Sequence, residues 1–190
     1  MKKIVIILFF LIFLFYLNSY EKIKPTYLID FTIDAGCGVY LGEFKNHLNR
    51  DGAYWGTPVL DFYISFFIIR YFGIQIYIGS GCVIHPNSYP IEGTIIYNAI
   101  ELFFQYEWNL IFLKIFSGSG FQHCTMLISY YASGFFETGL SLGTKITTYM
   151  SFVGSIKYRM GFLHSLLVYP ESLMSLTFSI GLIFRIKNRD

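Results

Sequence analysis

Between Met174 and Lys187 the chain alternates apolar and polar residues with a single exception. Met174, Leu176, Phe178, Ile180, Leu182, Phe184 and Ile186 form one set; Ser175, Thr177, Ser179, Gly181, Arg185 and Lys187 form the other, and only Ile183 departs from it. A period of two over this length belongs to a long β-strand with one apolar and one polar face, because a helix repeats every 3.6 residues. The same pattern recurs upstream. Tyr27 to Leu41 sets Ile29, Phe31, Ile33 and Val39 against Asp30, Thr32, Asp34, Gly36 and Gly38, and Pro58 to Tyr71 sets Leu60, Phe62, Ile64, Phe66 and Ile68 against Asp61, Tyr63 and Ser65. Further strands are expected over Ile74–Ile84, Thr94–Gln105, Asn109–Gly120, Gly134–Gly143 and Ile146–Arg159, which makes eight. Pro25, Pro58, Pro86, Pro90 and Pro170 fall before, at the start of, or between these segments, where a ladder loses no N–H group.

The connections alternate in length. Residues 42–57, 85–93, 121–131 and 161–173 are long polar loops, whereas the remaining links are a few residues each. An even number of antiparallel strands, with long loops at one end and short turns and both termini at the other, predicts an all-β, eight-stranded up-and-down transmembrane barrel. Alternation alone leaves open which face points outward. The apolar faces carry about thirty-five large side chains, whereas a closed eight-stranded barrel holds on the order of a dozen inside. The apolar face is therefore the outer one, which argues against a soluble barrel with an apolar interior. A bundle of membrane helices would need spans of about 18–20 apolar residues. Asp61, Arg70, Glu101, Glu107, Lys114 and Glu137 interrupt nearly every such window.

The inward face then collects Asp30, Asp34, Asp61, Glu101, Lys114, Glu137, Lys157, Arg159 and Arg185. Closure makes the first and last strands neighbours and sets Asp30 beside Arg185. A turn at Glu107 and Trp108 sets Glu101 directly across from Lys114. Opposite charges at such cross-strand positions attract, so the lumen is expected to be filled by paired charges and to conduct poorly. Gly36, Gly38, Gly79, Gly81, Gly118, Gly120, Gly139, Gly143 and Gly181 share that inner face, where a missing side chain relieves crowding.

Composition places the barrel. Aromatic residues make up 21% of the chain and charged residues only 14%, a membrane-like balance. Lys2 and Lys3 followed by the apolar run Ile4 to Leu17 predict a secretory signal peptide over residues 1–19 ahead of a barrel domain over 20–190. As a helix that run reaches about 21 Å, short of a hydrocarbon core of about 30 Å. Without Lys2 and Lys3 the 14 basic residues fall to 12 against 12 acidic ones, which leaves no basic surface for nucleic acid. Cys37, Cys82 and Cys124 have no metal-type spacing, and their odd number leaves at least one unpaired; Cys37 and Cys82 fall on apolar strand faces as small hydrophobes, with a Cys82–Cys124 bridge as the less favoured reading.

Ser179, Gly181, Phe184 and Ile186, spaced polar-x-Gly-x-x-apolar-x-apolar, resemble the β-signal that the barrel-assembly machinery reads in the last strand of outer-membrane barrels; here Asn188 to Asp190 follow it. In size and strand number the chain resembles the small OmpA-, OmpX- and OmpW-type barrels. That resemblance implies a bacterial outer membrane, with its lipid and the assembly machinery as partners. The resemblance carries no activity across, but loops 42–57, 85–93, 121–131 and 161–173, long enough for a modest binding surface and too short for a folded cap, suit a structural or surface-interaction role with an extracellular ligand as partner. An OmpW-like channel or carrier is the alternative, although the inward charges suit apolar solutes poorly. A lipid A-modifying enzyme is the second alternative. His164, Ser165 and Glu171 supply its residue types, but adjacent strand residues point to opposite faces. No phosphate loop, nucleophile elbow or zinc-type pair is present. His47, His85, His123 and His164 fall one to each long loop and would gather a metal only if the loops converge. The expectation is a non-enzymatic barrel with no metal and no cofactor.

Overall fold

A computed structural model describes residues 26–41, 57–83, 93–126, 129–163 and 171–187. They form eight strands, β1 (Tyr27–Leu41), β2 (Thr57–Ile69), β3 (Phe72–Val83), β4 (Gly93–Trp108), β5 (Ile111–Met126), β6 (Ser129–Lys145), β7 (Met150–Leu163) and β8 (Glu171–Lys187). Each pairs antiparallel with its sequence neighbour, and β8 returns to β1, so the sheet is a closed barrel with no free long edge. The residues 1–19, the apical segments 42–56, 84–92 and 164–170, and His47, His85 and His164 lie outside the described residues.

Alternation sorts the wall as expected. Among the described residues thirty-five large apolar side chains are exposed, all but the turn residues Leu110, Ile146 and Tyr149 on the strands of the outer wall, among them Phe31, Phe62, Ile100, Leu140 and Phe184. On β4 the exposed positions run from Ile96 to Trp108; twelve steps of about 3.3 Å, tilted by about 40°, span about 30 Å, the thickness of a hydrocarbon core. Tyr71 packs on Phe104 and Tyr106 at the turn end, with the Arg70 guanidinium 5.2 Å from the Tyr71 ring. Together with exposed Trp108 and Tyr149 they make an aromatic, partly charged rim of the kind that sits at a membrane interface.

Three boundaries differ from the sequence reading. The β4–β5 turn is Asn109–Leu110 and not Glu107–Trp108: Asn109 has a φ of 55°, a left-handed conformation that asparagine tolerates, and Trp108 pairs with Ile111. Ile146 to Tyr149 belong to a turn and not to β7. The amides of Ile146 and Thr147 both donate to the Met150 carbonyl, and the Tyr149 amide donates to the Thr147 hydroxyl. Most of 121–131 is strand and not loop, because the alternation continues above the apolar band with Phe121 outside and Gln122 inside. The Gln122 amide donates to the Ser133 hydroxyl directly across on β6, and only residues 127–128 remain between the two strands. Cys37 and Cys82 are free thiols, so Cys82 makes no bridge to Cys124.

Candidate functional site: a filled and charged lumen

The inner face decides what the barrel can do. Asp30, Asp34, Asp61, Glu101, Lys114, Glu137, Lys157, Arg159 and Arg185 are all buried inside it. They are arranged in tiers along the axis.

At the turn end Asp30 lies directly opposite Arg185 across the β1–β8 seam, with the Arg185 Nε 3.7 Å from Asp30 Oδ2. The closer partner of Arg185 is Glu107, 2.6 Å from Nη1, and Glu107 is also bound by Lys145 at 2.6 Å and by the Gln105 amide at 2.9 Å. The Arg185 guanidinium lies 4.7 Å from the rings of both Tyr27 and Phe112.

One tier up, the register overturns a sequence expectation. Because the turn sits at Asn109–Leu110, Glu101 faces Gly118 and Lys114 faces Gln105, so Glu101 and Lys114 are not a cross-strand pair. They are joined indirectly. Lys114 donates to the Ser65 hydroxyl at 2.9 Å, Ser65 donates to the Gln75 carbonyl oxygen at 3.1 Å, and the Gln75 amide donates to Glu101 Oε2. The Lys114 ammonium also stands 4.4 Å over the Phe103 ring.

Nearer the loop end Lys157 is bonded to Asp61, donates to the Tyr63 hydroxyl at 2.9 Å and lies 4.0 Å from Asp34. Ser179 and Ser155 donate to Asp34 at 3.3 and 3.5 Å. Tyr77 donates to Asp61 at 2.8 Å while its hydroxyl oxygen accepts from Arg159 at 2.7 Å, and Arg159 in turn is bonded to Glu137. The Arg159 guanidinium lies 3.6 Å from the Tyr97 ring.

Aromatic rings fill what the charges leave. Phe103 and Phe67 meet edge-on with Tyr27 and Phe116 in one cluster, and Phe112, Val153 and Ile183 form another. Ile183, the exception in the β8 alternation, thus belongs to an apolar layer inside the barrel. Glycines admit the rings: a Cβ at Gly139 would stand 2.3 Å from the Phe116 ring, and one at Gly143 2.1 Å from that of Phe112. A cavity of about 10 Å³ between Thr32, Asp34, Lys114 and Ser155 has room for about one water molecule. Along the described strands these charges and rings fill the inner face tier by tier.

On these grounds the architecture can be set against known proteins. No family model matches the chain, and no curated protein matches it. Solved structures do. Neisserial surface protein A (NspA) superposes with a TM-score of 0.64 over 83% of this chain and 97% of its own, at 7% identity. Ail, the attachment invasion locus protein of Yersinia pestis, superposes with a TM-score of 0.55 over 84% of this chain and 99% of its own, at 11% identity. Ail has also been solved with the heparin analogue sucrose octasulfate, and that form gives a TM-score of 0.53 over 86% and 99%, again at 11% identity. The fold is that of the small eight-stranded membrane barrels. At these identities the likeness carries the backbone architecture and no residue's role.

The β-signal positions lie on both faces of β8. Phe184 and Ile186 are on the exposed outer wall, whereas Ser179 and Gly181 face the lumen. A Cβ at Gly181 would lie 2.1 Å from Asp34 Oδ1 and 2.2 Å from the Ile33 carbonyl oxygen, so packing alone demands glycine there. The side chain of Glu171 lies outside the described residues, as do His164 and Ser165. Among the described residues no group of three His, Cys, Asp or Glu side chains is placed to hold a metal ion.

Proposed function

We propose that this protein is an integral barrel of a bacterial outer membrane that serves as a structural or surface-interaction element and does not conduct solute. The observation that carries this reading is the pairing of an outer wall apolar on every strand with an interior closed by buried charges and rings over its whole described height. A wall of this kind is stable only against lipid. Residues 1–19 act as the signal for export, and the last strand presents Phe184 and Ile186 to the assembly machinery. The long connections, expected over 42–57, 85–93, 121–131 and 161–173, offer the surface for an extracellular ligand; Ail, similar in fold, has been solved in complex with the heparin analogue sucrose octasulfate. The reading is non-enzymatic.

Planar-bilayer recording on the refolded protein tests the closed lumen. Current indistinguishable from the bare bilayer is expected, and large, stable conductance steps would overturn it in favour of a narrow channel. Membrane fractionation of the native host, with heat-modifiable migration on gels, tests the location; recovery in the soluble fraction would overturn that.

A further inference from the structure

The apolar wall is not level around the barrel. On β8 every outward residue from Ile186 up to Met174 is apolar, and the exposed Lys187 ends the run at the turn end. On β5 only Ile111, Leu113 and Ile115 precede the outward Ser117 and Ser119, and the strands beside it carry Asn98 and Thr138 on the same face. The Ser117 and Thr138 hydroxyls donate to the carbonyls of Glu137 and Phe116 at 3.2 Å, so the sheet itself satisfies them at any depth. Asn98 and Ser119 are exposed and have no side-chain partner among the described residues. In hydrocarbon a lone amide or hydroxyl is costly, whereas a headgroup layer supplies its hydrogen bonds. The turn end shows the opposite offset. Below β4 to β7, turn residues 109–110 and 146–149 carry no charge and expose Leu110, Ile146 and Tyr149. The two nearby charges, Glu107 and Lys145, bind one another. On the other side the corresponding positions are the exposed cations Arg70 and Lys187. The apolar surface therefore runs off the strands onto the turns on one side and stops at charges on the other.

The register measures the offset. Ile111 leads through Thr144 and Phe152 to Leu182, three strands on. Three strand spacings of about 4.8 Å at a tilt of about 40° climb about 9 Å, and the four residues from Leu182 down to Ile186 descend about 10 Å, so Ile111 and Ile186 are level. Ser119 and Phe178 each lie eight residues above them and share a height. An apolar band about 25 Å tall covers about ten residues of such a strand. Counted up from Ile186 it reaches Leu176, two residues above Phe178; counted down from Ser119 it runs past Ile111 onto Leu110. Two residues amount to about 5 Å of height. Phe121 and Ile96, the next outward residues above Ser119 and Asn98, stand about 5 Å higher again, within a headgroup layer about 5–7 Å deep.

We propose that the barrel lies obliquely in the membrane, its β4–β6 side sunk toward the turn end, so that Asn98 and Ser119 meet the polar headgroups of the outer leaflet while Leu110, Ile146 and Tyr149 rest in the phospholipid of the inner one. The inference rests on the barrel spanning a bilayer. Depth-dependent quenching of single tryptophans tests it. With Trp55 and Trp108 replaced by Phe, the full chain carries either Ser119→Trp or Phe178→Trp and is refolded into nanodiscs of phosphatidylcholine brominated near the glycerol or near mid-chain. The Ser119→Trp probe is expected about 5 Å shallower than the Phe178→Trp probe, quenched more by the first lipid and less by the second. Equal depths mean an upright barrel and overturn the inference, as does a deeper Ser119→Trp probe. Quenching of neither probe by either lipid would remove the membrane location itself, a result distinct from equal depths within the bilayer. Should one variant fail to refold, Ser117→Trp and Ile180→Trp, each six residues up the same two strands, read the same offset and decide by the same outcomes.

Discussion

Lys157 is the cation on which two acids depend, and its removal is the sharpest test of the lumen. In Lys157→Met, Asp61 keeps only the Tyr77 hydroxyl at 2.8 Å, and Asp34 keeps the longer bonds from Ser179 and Ser155. The Tyr63 hydroxyl also loses its donor. Breaking a buried pair by deleting one partner costs about 3–5 kcal/mol, because the charge left behind is uncompensated. Lys114→Met is the internal control. Lys114 has no carboxylate within ion-pair distance among the described residues, so its loss removes one charged hydrogen bond to Ser65, about 1.5–3 kcal/mol, and the contact with the Phe103 ring. Equilibrium urea unfolding in lipid vesicles, followed by tryptophan fluorescence and by gel mobility, should rank Lys157→Met well below Lys114→Met. Adding Asp61→Asn to Lys157→Met should restore part of the loss, since neutralising both partners removes the stranded charge. A loss of under about 1 kcal/mol for Lys157→Met, against the 3–5 expected for a broken buried pair, would refute the reasoning, and so would a larger loss for Lys114→Met.

Two other substitutions separate roles that the chain superimposes. Phe184→Asp alters only the lipid-facing side of β8 and is expected to cut membrane insertion while export across the inner membrane continues, as measured by fractionation and protease protection; normal insertion would remove Phe184 from the assembly signal. Gly139→Val drives a branched side chain into the Phe116 ring and is expected to destabilise by about 1–3 kcal/mol in the same urea assay, with partial recovery on adding Phe116→Leu.

The limits of β1 and the sorting of its faces were legible in sequence because a period-two pattern survives small errors of boundary. The inner aromatics were not. Tyr97, Phe103, Phe112 and Phe116 occur in stretches apolar on both faces, such as Phe103-Phe104, where alternation disappears and hydropathy gives no clue to side. Parity supplies the missing signal: counting in steps of two from Glu101 puts Tyr97 and Phe103 on the inner face, and from Lys114 it puts Phe112 and Phe116 there. Register was the harder quantity. Moving a turn by two residues, from 107–108 to 109–110, leaves every side chain on its own face and changes every partner across the sheet. That is why both Glu101 and Lys114 remain inside the barrel while their direct pairing does not. Nothing in the hydropathy of Glu107-Trp108-Asn109-Leu110 marks the turn; what marks it is the capacity of Asn109 for positive φ.

Charge pairing and ring packing do different work in this lumen, and the difference decides how the barrel would respond to losing a charge. Lys114, Arg159 and Arg185 each lie against an aromatic ring, and Lys157 lies 5.3 and 6.0 Å from the rings of Tyr63 and Tyr77, which stack on each other. The rings occupy volume that Gly139, Gly143 and Gly73 leave open, so the bore is blocked by atoms held in place from the opposite strand. In a pore closed by ion pairs alone, breaking one pair frees two mobile side chains and opens a path for water. Here the rings of Phe103, Phe112 and Phe116 still occupy the bore when a pair is broken, since they pack over Gly73, Gly143 and Gly139 and owe their place to no ion pair. Charge-deleting variants should therefore lose stability without gaining conductance, and the ions are better understood as satisfying one another inside a closed barrel than as guarding a channel.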